Sequence, residues 1–174
     1  IRDNALAISG LLVREVGGAS VKPYQPAGYY RHLNFPTRKY AHHKDQRQWR
    51  RGVYVHLQRQ FLHPMLKAFD APRREECTAQ RPRSNTPLAA LVLLNDPTFV
   101  QAAEAFAKRI FESGGSSTDS RLDFAFRNAV SRNPDDFERK TLKTLLSAKD
   151  ANEKARWTTV ARAILNLAET NLRR

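Results

Sequence analysis

Apolar residues recur at helical spacing over most of the chain, with one long interruption. The first stretch places them three or four positions apart: Ile1, Ala5, Ile8, Leu12 and Val16. This spacing predicts a helix over residues 1–16, closed by the Gly17-Gly18 pair. From residue 19 to residue 51 the periodicity disappears, while proline, aromatic and cationic residues accumulate. So many aromatic residues favour a long but ordered irregular insertion over disorder.

The segment after the insertion permits two interpretations. Val53, Val55 and Leu57 alternate with polar or amphipathic residues over residues 52–58, which is typical of a short strand. No partner strand is evident, so a helix that begins near Gly52 is the alternative. A short helix is predicted over residues 64–69, ending before Pro72.

Pairs of a capping residue and proline mark helix starts in the C-terminal half. A side-chain oxygen can cap the free N–H groups, and proline suits the first turn. Three such pairs occur, namely Thr86-Pro87, Asp96-Pro97 and Asn133-Pro134. The predicted helices lie near residues 87–95, 97–113 and 134–147, with one capped by Asp119 and a last one near 152–172. The sequence therefore predicts a mainly all-α fold, a bundle of about six helices with a long irregular insertion after the first helix.

Residues 1–174 are interpreted as a single helical domain, with the basic and aromatic insertion at 19–51. Ile1 opens directly into a periodic apolar pattern, so we expect a fragment of a longer chain. No apolar run approaches the roughly 18 residues that a membrane span needs. The single cysteine, Cys77, cannot form an internal disulfide, and the chain has no haem-attachment motif. We expect no cofactor in this chain.

Charge is concentrated in the middle of the sequence. The chain has a net charge of +13, of which +9 falls within residues 31–83. Such a density of cations attracts acidic polymers. Over residues 31–51, seven Lys/Arg face one acid, and Tyr30, Tyr40 and Trp49 offer ring faces. The alternative is that these rings pack the segment down while its cations are solvated.

A second candidate region runs from Asp70 to Pro87. Its carboxylates, Asp70 and Glu75 among them, lie between arginines that keep them ionised, and an ionised carboxylate is a poor general acid. We therefore predict a structural role for Asp70, Pro72, Glu75, Pro87 and Asp96. The arginines near the helix start at Pro87 suggest an anion site, and a plain capping motif is the alternative. The candidate anion or ligand-binding residues are Arg47, Arg50, Arg51, Arg81, Arg83, Asn85 and Thr86.

No catalytic residue and no metal site is predicted. His42 and His43 are adjacent in sequence, His56 and His63 follow further on, and no nearby cysteine or carboxylate completes a recognisable ligand spacing. These histidines are interpreted as surface or locally hydrogen-bonded residues.

Four motifs carry a family resemblance. They are Arg50-Arg51-Gly52-Val53-Tyr54, Phe69-Asp70-Ala71-Pro72, Arg83-Ser84-Asn85-Thr86-Pro87-Leu88 and Leu93-Leu94-Asn95-Asp96-Pro97. They resemble a planctomycete-associated domain of unknown function, found at the C-terminal end of large exported proteins that often also carry c-type cytochrome modules. The resemblance implies an exported, periplasmic or cell-surface protein. The family commonly has glutamine after Thr-Pro-Leu, where this chain has Ala89, so a contact made by that glutamine is lost here.

These observations favour a non-catalytic structural or interaction module of a larger exported, cytochrome-associated protein. Its partners would be other modules of the parent protein and an acidic or sulfated polysaccharide. A second hypothesis is part of an enzyme acting on polysaccharide, whose site is completed by upstream chain. Nucleic-acid binding is a third and less favoured hypothesis, because no recognised nucleic-acid module is present.

Overall fold

The computed structural model describes residues 1–31, 39–58, 61–72, 77–147 and 152–171. Among these residues the chain is helical or irregular and contains no strand, which confirms the mainly all-α prediction. The eight α-helices of this part are α1 (Arg2–Ser9), α2 (Pro64–Ala68), α3 (Pro87–Asn95), α4 (Pro97–Ser113), α5 (Thr118–Val130), α6 (Asp136–Leu146), α7 (Glu153–Leu165) and α8 (Ala168–Asn171). Single 3-10 turns occur at Gln46–Trp49 and Gly52–Tyr54. No helix within the described ranges is long and apolar enough to cross a bilayer.

The chain divides into two compact units. The helical unit comprises Ile1–Leu11 and Phe99–Arg174, and the loop-rich unit comprises Leu12–Thr98. That residues 1–174 form one domain cut from a longer chain stays a prediction.

The helical unit is built around the apolar stripe of α4. Phe99, Ala103, Phe106 and Ile110 recur every three or four residues and are buried. Helices α5 and α7 contribute further fully buried side chains, among them Leu122, Phe126, Val160 and Ile164. This unit follows the helical periodicity of its sequence.

The first helix is shorter than its periodicity predicted. It ends at Ser9, and Gly10 adopts the left-handed conformation (φ 82°) while its N–H donates to the Ala7 carbonyl at 3.2 Å. The predicted extension to Val16 is wrong, and the side chain of Val16 is 84% exposed. A left-handed glycine closes the helix before the second half of the apolar pattern can be used.

Three other helix ends also differ from prediction. The cap of α5 is Ser117 instead of Asp119, and the cap of α6 is Asp135 instead of Asn133. The predicted last helix is interrupted after Leu165, where the Thr170 hydroxyl donates to the Ile164 carbonyl at 2.9 Å. In α5 and α6 the side chain that accepts from the first turn lies two residues away from the expected cap.

The loop-rich unit is ordered around residues 21–24, and each of these four residues is hydrogen-bonded to a different part of the unit. Val21 exchanges backbone bonds of 2.8 and 2.7 Å with Tyr54 and His56. The Lys22 carbonyl accepts from the His43 N–H at 2.8 Å. Further along, the Pro23 carbonyl accepts from the Tyr40 hydroxyl at 2.7 Å, and the Tyr24 carbonyl from His63 Nε2 at 2.8 Å. The described parts of the insertion, residues 19–31 and 39–51, are therefore irregular and hydrogen-bonded to other parts of the unit, as predicted.

Of the two interpretations of residues 52–58, strand or helix, the structure realises neither in full and has a 3-10 turn followed by one bridge. Val55 pairs with Val21 in an isolated parallel bridge. The next N–H needed to extend a parallel ladder would come from residue 23, which is proline and has none. Pairing therefore stops after one bridge, and the alternative helix from Gly52 extends for a single turn.

The cap of α6 supplies a stability test. Asp135 accepts from the Glu138 N–H at 2.7 Å and Glu138 accepts from the Asp135 N–H at 2.8 Å, whereas Asn133 accepts from the Arg127 side chain. Replacing Asp135 by alanine should lower the free energy of unfolding by about 1 kcal/mol. Asn133→Ala serves as the control, with a smaller loss in the same chemical denaturation measurement. A larger loss for Asn133→Ala would contradict this assignment.

Candidate functional site

The loop-rich unit holds most of the net charge of the chain. Residues 12–98 contain 15 Lys/Arg and 6 Asp/Glu, giving +9 of the total of +13. Both regions predicted from sequence, the basic segment near residues 31–51 and the Asp70–Pro87 segment, belong to this unit. The contacts of each cation determine whether it is available to bind a ligand.

Arg50 is buried, with 4% of its surface exposed. Its Nη1 donates to the Ala19 carbonyl at 3.1 Å and its Nη2 donates to the Glu15 carbonyl at 3.1 Å and to the Gly17 carbonyl. The guanidinium also lies over the Tyr54 ring, 4.0 Å from its centroid. A guanidinium committed to carbonyls and a ring holds the backbone together and is not presented to a ligand.

These three carbonyls belong to a short backbone arch, residues 14–20, that wraps the Arg50 side chain. Gly17 and Gly18 shape it, with φ of 84° and 79°, values that side-chain-bearing residues rarely adopt. The Gly17 N–H donates to the Tyr54 hydroxyl at 2.9 Å. The glycine pair predicted to end the first helix therefore forms the arch around Arg50 instead.

Arg47 forms a local ion pair with Asp45. The two side chains meet through Nη2–Oδ2 at 2.6 Å and Nε–Oδ1 at 3.0 Å, and Asp45 also caps the 3-10 turn that follows it. The hydrogen bond from Arg47 lowers the pKa of Asp45 to about 2. Arg51, the next candidate, is exposed. Of the three predicted cations at 47–51, one is thus buried, one is paired at the surface and one is exposed.

Three other cations of the basic segment lie at the surface. Arg31, Lys39 and Lys44 are exposed, and among the described residues none of them has an ion-pair partner. The neighbouring rings are used internally: Tyr30 meets Tyr40 edge to face at 5.6 Å, and Lys22 lies 5.8 Å from the Tyr40 centroid. The cations of this segment are therefore more available to a ligand than the tyrosine faces are.

Asp70 joins two of the sequence motifs. Its carboxylate accepts from the Ser84 N–H at 2.7 Å and from the Ser84 hydroxyl at 2.7 and 2.8 Å. These bonds from Ser84 lower the pKa of Asp70 below its usual value. The backbone of Asp70 is left-handed (φ 56°), a conformation that aspartate tolerates better than most residues.

Arg81 reinforces this clamp from the same side of the loop. Its Nε donates to the Asp70 carbonyl at 2.8 Å and its Nη2 donates to the Phe69 carbonyl. Like Arg50, Arg81 donates its hydrogen bonds to backbone carbonyls. Glu75, predicted to share the structural role, lies outside the described residues.

The residues after the clamp lead into α3. Thr86 caps the helix by accepting from the Ala89 N–H at 3.2 Å, and Pro87 is its first residue, both as predicted. Arg83 and Asn85 are exposed on either side of Ser84. Farther along, Asp96 accepts from the Thr98 N–H at 2.8 Å at the start of α4, and Pro72 is exposed after Asp70. This geometry favours a capping motif at the start of α3, and an anion site there stays a hypothesis.

Sequence reasoning missed three residues that hold these regions. Ser84 and Tyr54 lie inside the quoted motifs, yet nothing in their spacing pointed to Asp70 or to Gly17. His63 caps α2 through Nδ1 and contacts Tyr24 through Nε2, and its position just before Pro64 was an available signal for the cap. The part of the chain that the structure describes contains no group of three or more His, Cys, Asp or Glu that could hold a metal ion.

The fold and these contacts define a mainly helical chain with one basic, loop-rich unit. The family model described as "PSD1: Protein of unknown function (DUF1553)" matches residues 1–146, which is most of the chain. The chain belongs to this family. No curated protein matches it, and no solved structure matches it either.

The arch makes Arg50 a stability determinant. Arg50→Ala should lower the free energy of unfolding by about 3 kcal/mol, because several carbonyls lose a charged donor inside the fold. Arg50→Lys should recover little of that loss, since one ammonium cannot reproduce the fork. Arg51→Ala, at the exposed neighbouring position, is the control. Equal losses for Arg50 and Arg51 in urea denaturation would contradict the arch.

The Asp70–Ser84 clamp predicts a pH-dependent effect. Because the folded pKa of Asp70 is lowered, its contribution to stability is complete above the unfolded value of about 3.9 and is lost as the pH falls through the folded value. Asp70→Ala should therefore lower the melting temperature at pH 7, and the difference from the parent protein should shrink in acid.

Asp70→Asn is the matched control for the charge, because asparagine tolerates the left-handed backbone and keeps one acceptor. We expect a smaller loss for Asp70→Asn than for Asp70→Ala, and a loss of similar kind for Ser84→Ala. Melting curves of all three variants that overlay the parent at pH 7 would refute the clamp.

Proposed function

We propose that this chain is a non-catalytic interaction module of a larger exported protein, and that its loop-rich unit contacts an anionic polysaccharide. The observation that carries the proposal is the surface set Arg31, Lys39 and Lys44, exposed and without ion pairs among the described residues. The unit around them has a net charge of +9. Solvated cations of this density attract a polyanion and release its counterions on contact.

The state of the carboxylates supports a role without catalysis. Asp45 and Asp70 both have pKa values below the usual range, because Arg47 and Ser84 donate to their ionised forms. A carboxyl group held ionised in this way has little tendency to deliver a proton at neutral pH. A structural role therefore suits these two residues better than acid–base catalysis does.

The ring contacts favour an acidic glycan over a nucleic acid. Single-stranded nucleic acids gain much of their binding energy from bases stacked on aromatic faces. Here Tyr30 meets the edges of its aromatic neighbours, at 5.6 Å for Tyr40 and 6.2 Å for Phe61. Charge contacts without stacking suit a sulfated or carboxylated sugar chain. The exported location implied by the sequence resemblance is consistent with such a partner.

Heparin chromatography tests the proposal. The triple variant Arg31→Gln, Lys39→Gln, Lys44→Gln should elute from heparin at clearly lower salt than the parent protein, because three solvated contacts are lost. The matched control is Lys108→Gln, Lys140→Gln, Lys154→Gln, which removes the same charge from exposed positions of the helical unit. We expect the control to change retention less.

Competition identifies the polymer. A soluble sulfated glycan should displace the chain from heparin, whereas a neutral glucan should not. Equal shifts for the two triple variants would show that retention follows net charge alone and would overturn the proposed surface. Stronger displacement by single-stranded DNA than by the glycan would favour the nucleic-acid hypothesis.

A further inference from the structure

Asp45 is the single carboxylate in a long cationic part of the sequence. Between Glu15 and Asp70 the chain has ten Lys/Arg and no other acidic residue. One acid changes the charge balance of such a stretch very little. Its effect depends on which cation it contacts, and that cation is Arg47.

The Arg47 guanidinium meets both oxygens of this carboxylate. Its Nε donates to Oδ1 at 3.0 Å and its Nη2 donates to Oδ2 at 2.6 Å. The side chains of Arg47 and Asp45 are 62% and 52% exposed. Water screens an ion pair of this kind, so the pair contributes little to stability. Arg47 is therefore occupied by a partner that another anion can replace.

The backbone around the pair does not depend on the guanidinium. Asp45 Oδ1 also accepts from the Arg47 N–H at 3.0 Å, and the Asp45 carbonyl accepts from the Gln48 N–H at 3.1 Å. These two bonds hold the start of the 3-10 turn Gln46–Trp49. Release of the Arg47 side chain from the carboxylate therefore leaves the turn in place, and only a side chain has to move.

An acidic polysaccharide offers Arg47 the same kind of partner that Asp45 does. The guanidinium fork binds a pair of oxygens on a carboxylate or a sulfate in the same two-point way. A free small anion competes poorly, because Asp45 belongs to the same chain and has a high effective concentration. A polymer that neighbouring cations such as Lys44 already hold shares this advantage. The exchange therefore favours a polymer of dense charge over a single ion.

We infer that Arg47 is a further residue of the polyanion contact, and that Asp45 is its internal competitor, which a densely charged polysaccharide displaces from the guanidinium. This inference rests on the proposed polysaccharide contact and adds a residue that limits its strength. Because the hydrogen bond from Arg47 lowers the pKa of Asp45 to about 2, the competitor stays ionised in neutral and mildly acidic solution. Removal of its charge should strengthen polymer binding.

The test measures the affinity of the chain for a fluorescent heparin oligosaccharide by anisotropy, at one fixed salt concentration. Asp45→Asn keeps an oxygen for the cap and removes the charge. It should bind about three- to fivefold more tightly than the parent, because the polymer no longer has to break an ion pair. Glu15→Gln is the matched control, since Glu15 is exposed in the same unit and has no ion pair among the described residues. The control should gain clearly less.

A double-mutant cycle assigns the gain to Arg47. In the background of Arg47→Gln, Asp45→Asn should gain no more than Glu15→Gln does, because no guanidinium remains to be released. Arg47→Gln should weaken binding more in Asp45→Asn than in the parent. Asp45→Ser, whose hydroxyl also caps, should reproduce the gain of Asp45→Asn. Circular dichroism spectra of these variants should match the parent, because the altered side chains are exposed.

A second polymer tests the selectivity that the competitor imposes. Hyaluronan is an unsulfated polyuronate with a lower charge density than heparin, so it has less charge with which to displace Asp45. The parent should therefore prefer the heparin oligosaccharide over a hyaluronan oligosaccharide more strongly than Asp45→Asn does. An equal preference in the two proteins would contradict the exchange.

Other outcomes separate this inference from the proposed function. Equal gains for Asp45→Asn and Glu15→Gln, or a gain for Asp45→Asn that persists in Arg47→Gln, would overturn the inference while the polysaccharide proposal stands. The pair would then be a local structural contact. If neither the parent nor Asp45→Asn binds the heparin oligosaccharide, the proposed contact is refuted and this inference with it.

Discussion

The loop-rich unit depends on the burial of one guanidinium. Arg50 places a permanent charge where 4% of its surface meets water, and such a charge requires partners. The arch of residues 14–20 supplies carbonyl oxygens, and Tyr54 supplies a ring face and a hydroxyl for Gly17. The backbone must take two consecutive left-handed residues to do so, which glycine permits. The same contacts bring residues 12–21 beside residues 49–55, and two parallel bridges, Val13–Arg50 and Val21–Val55, form there.

Among the described residues, most ion pairs lie in the helical unit. There Arg139 meets Asp119 and Asp123, Lys143 meets Asp119, and Arg132 meets Glu138 and Glu169. Among the described arginines of the loop-rich unit, Arg50 and Arg81 hold backbone carbonyls, Arg47 pairs with Asp45, and others such as Arg31 and Arg51 are exposed. Because acids are scarce there, the surplus charge faces solvent. The proposal of a polyanion contact in the loop-rich unit rests on this surplus charge.

The family motifs acquire a physical meaning from these contacts. The motif that contains Asp70 and the motif that contains Ser84 are held together by one carboxylate, 14 residues apart in sequence. The motif that contains Arg50 and Tyr54 holds the arch of residues 14–20 through hydrogen bonds. Three of the four motifs thus take part in two backbone closures, and the Thr86-Pro87 start of α3 comes directly after the Asp70–Ser84 closure. The motifs therefore fix the path of the chain in the loop-rich unit.

Local patterns determined the helical elements, and longer-range contacts decided the rest. The starts of α3 and α4 follow from Thr86-Pro87 and Asp96-Pro97, because a cap and a proline act within one turn. The sequence offered more than one group for each of three other features. They are the end of α1 at Gly10, the cap at Asp135 and the single bridge at Val55. For the candidate site, the sequence identified the basic region but not which of its cations are buried, paired or exposed. Arg50 and Arg51 are neighbours with the same chemistry, yet one is buried and the other exposed, because carbonyls more than 30 residues earlier in the chain close over one of them. That choice belongs to the tertiary structure.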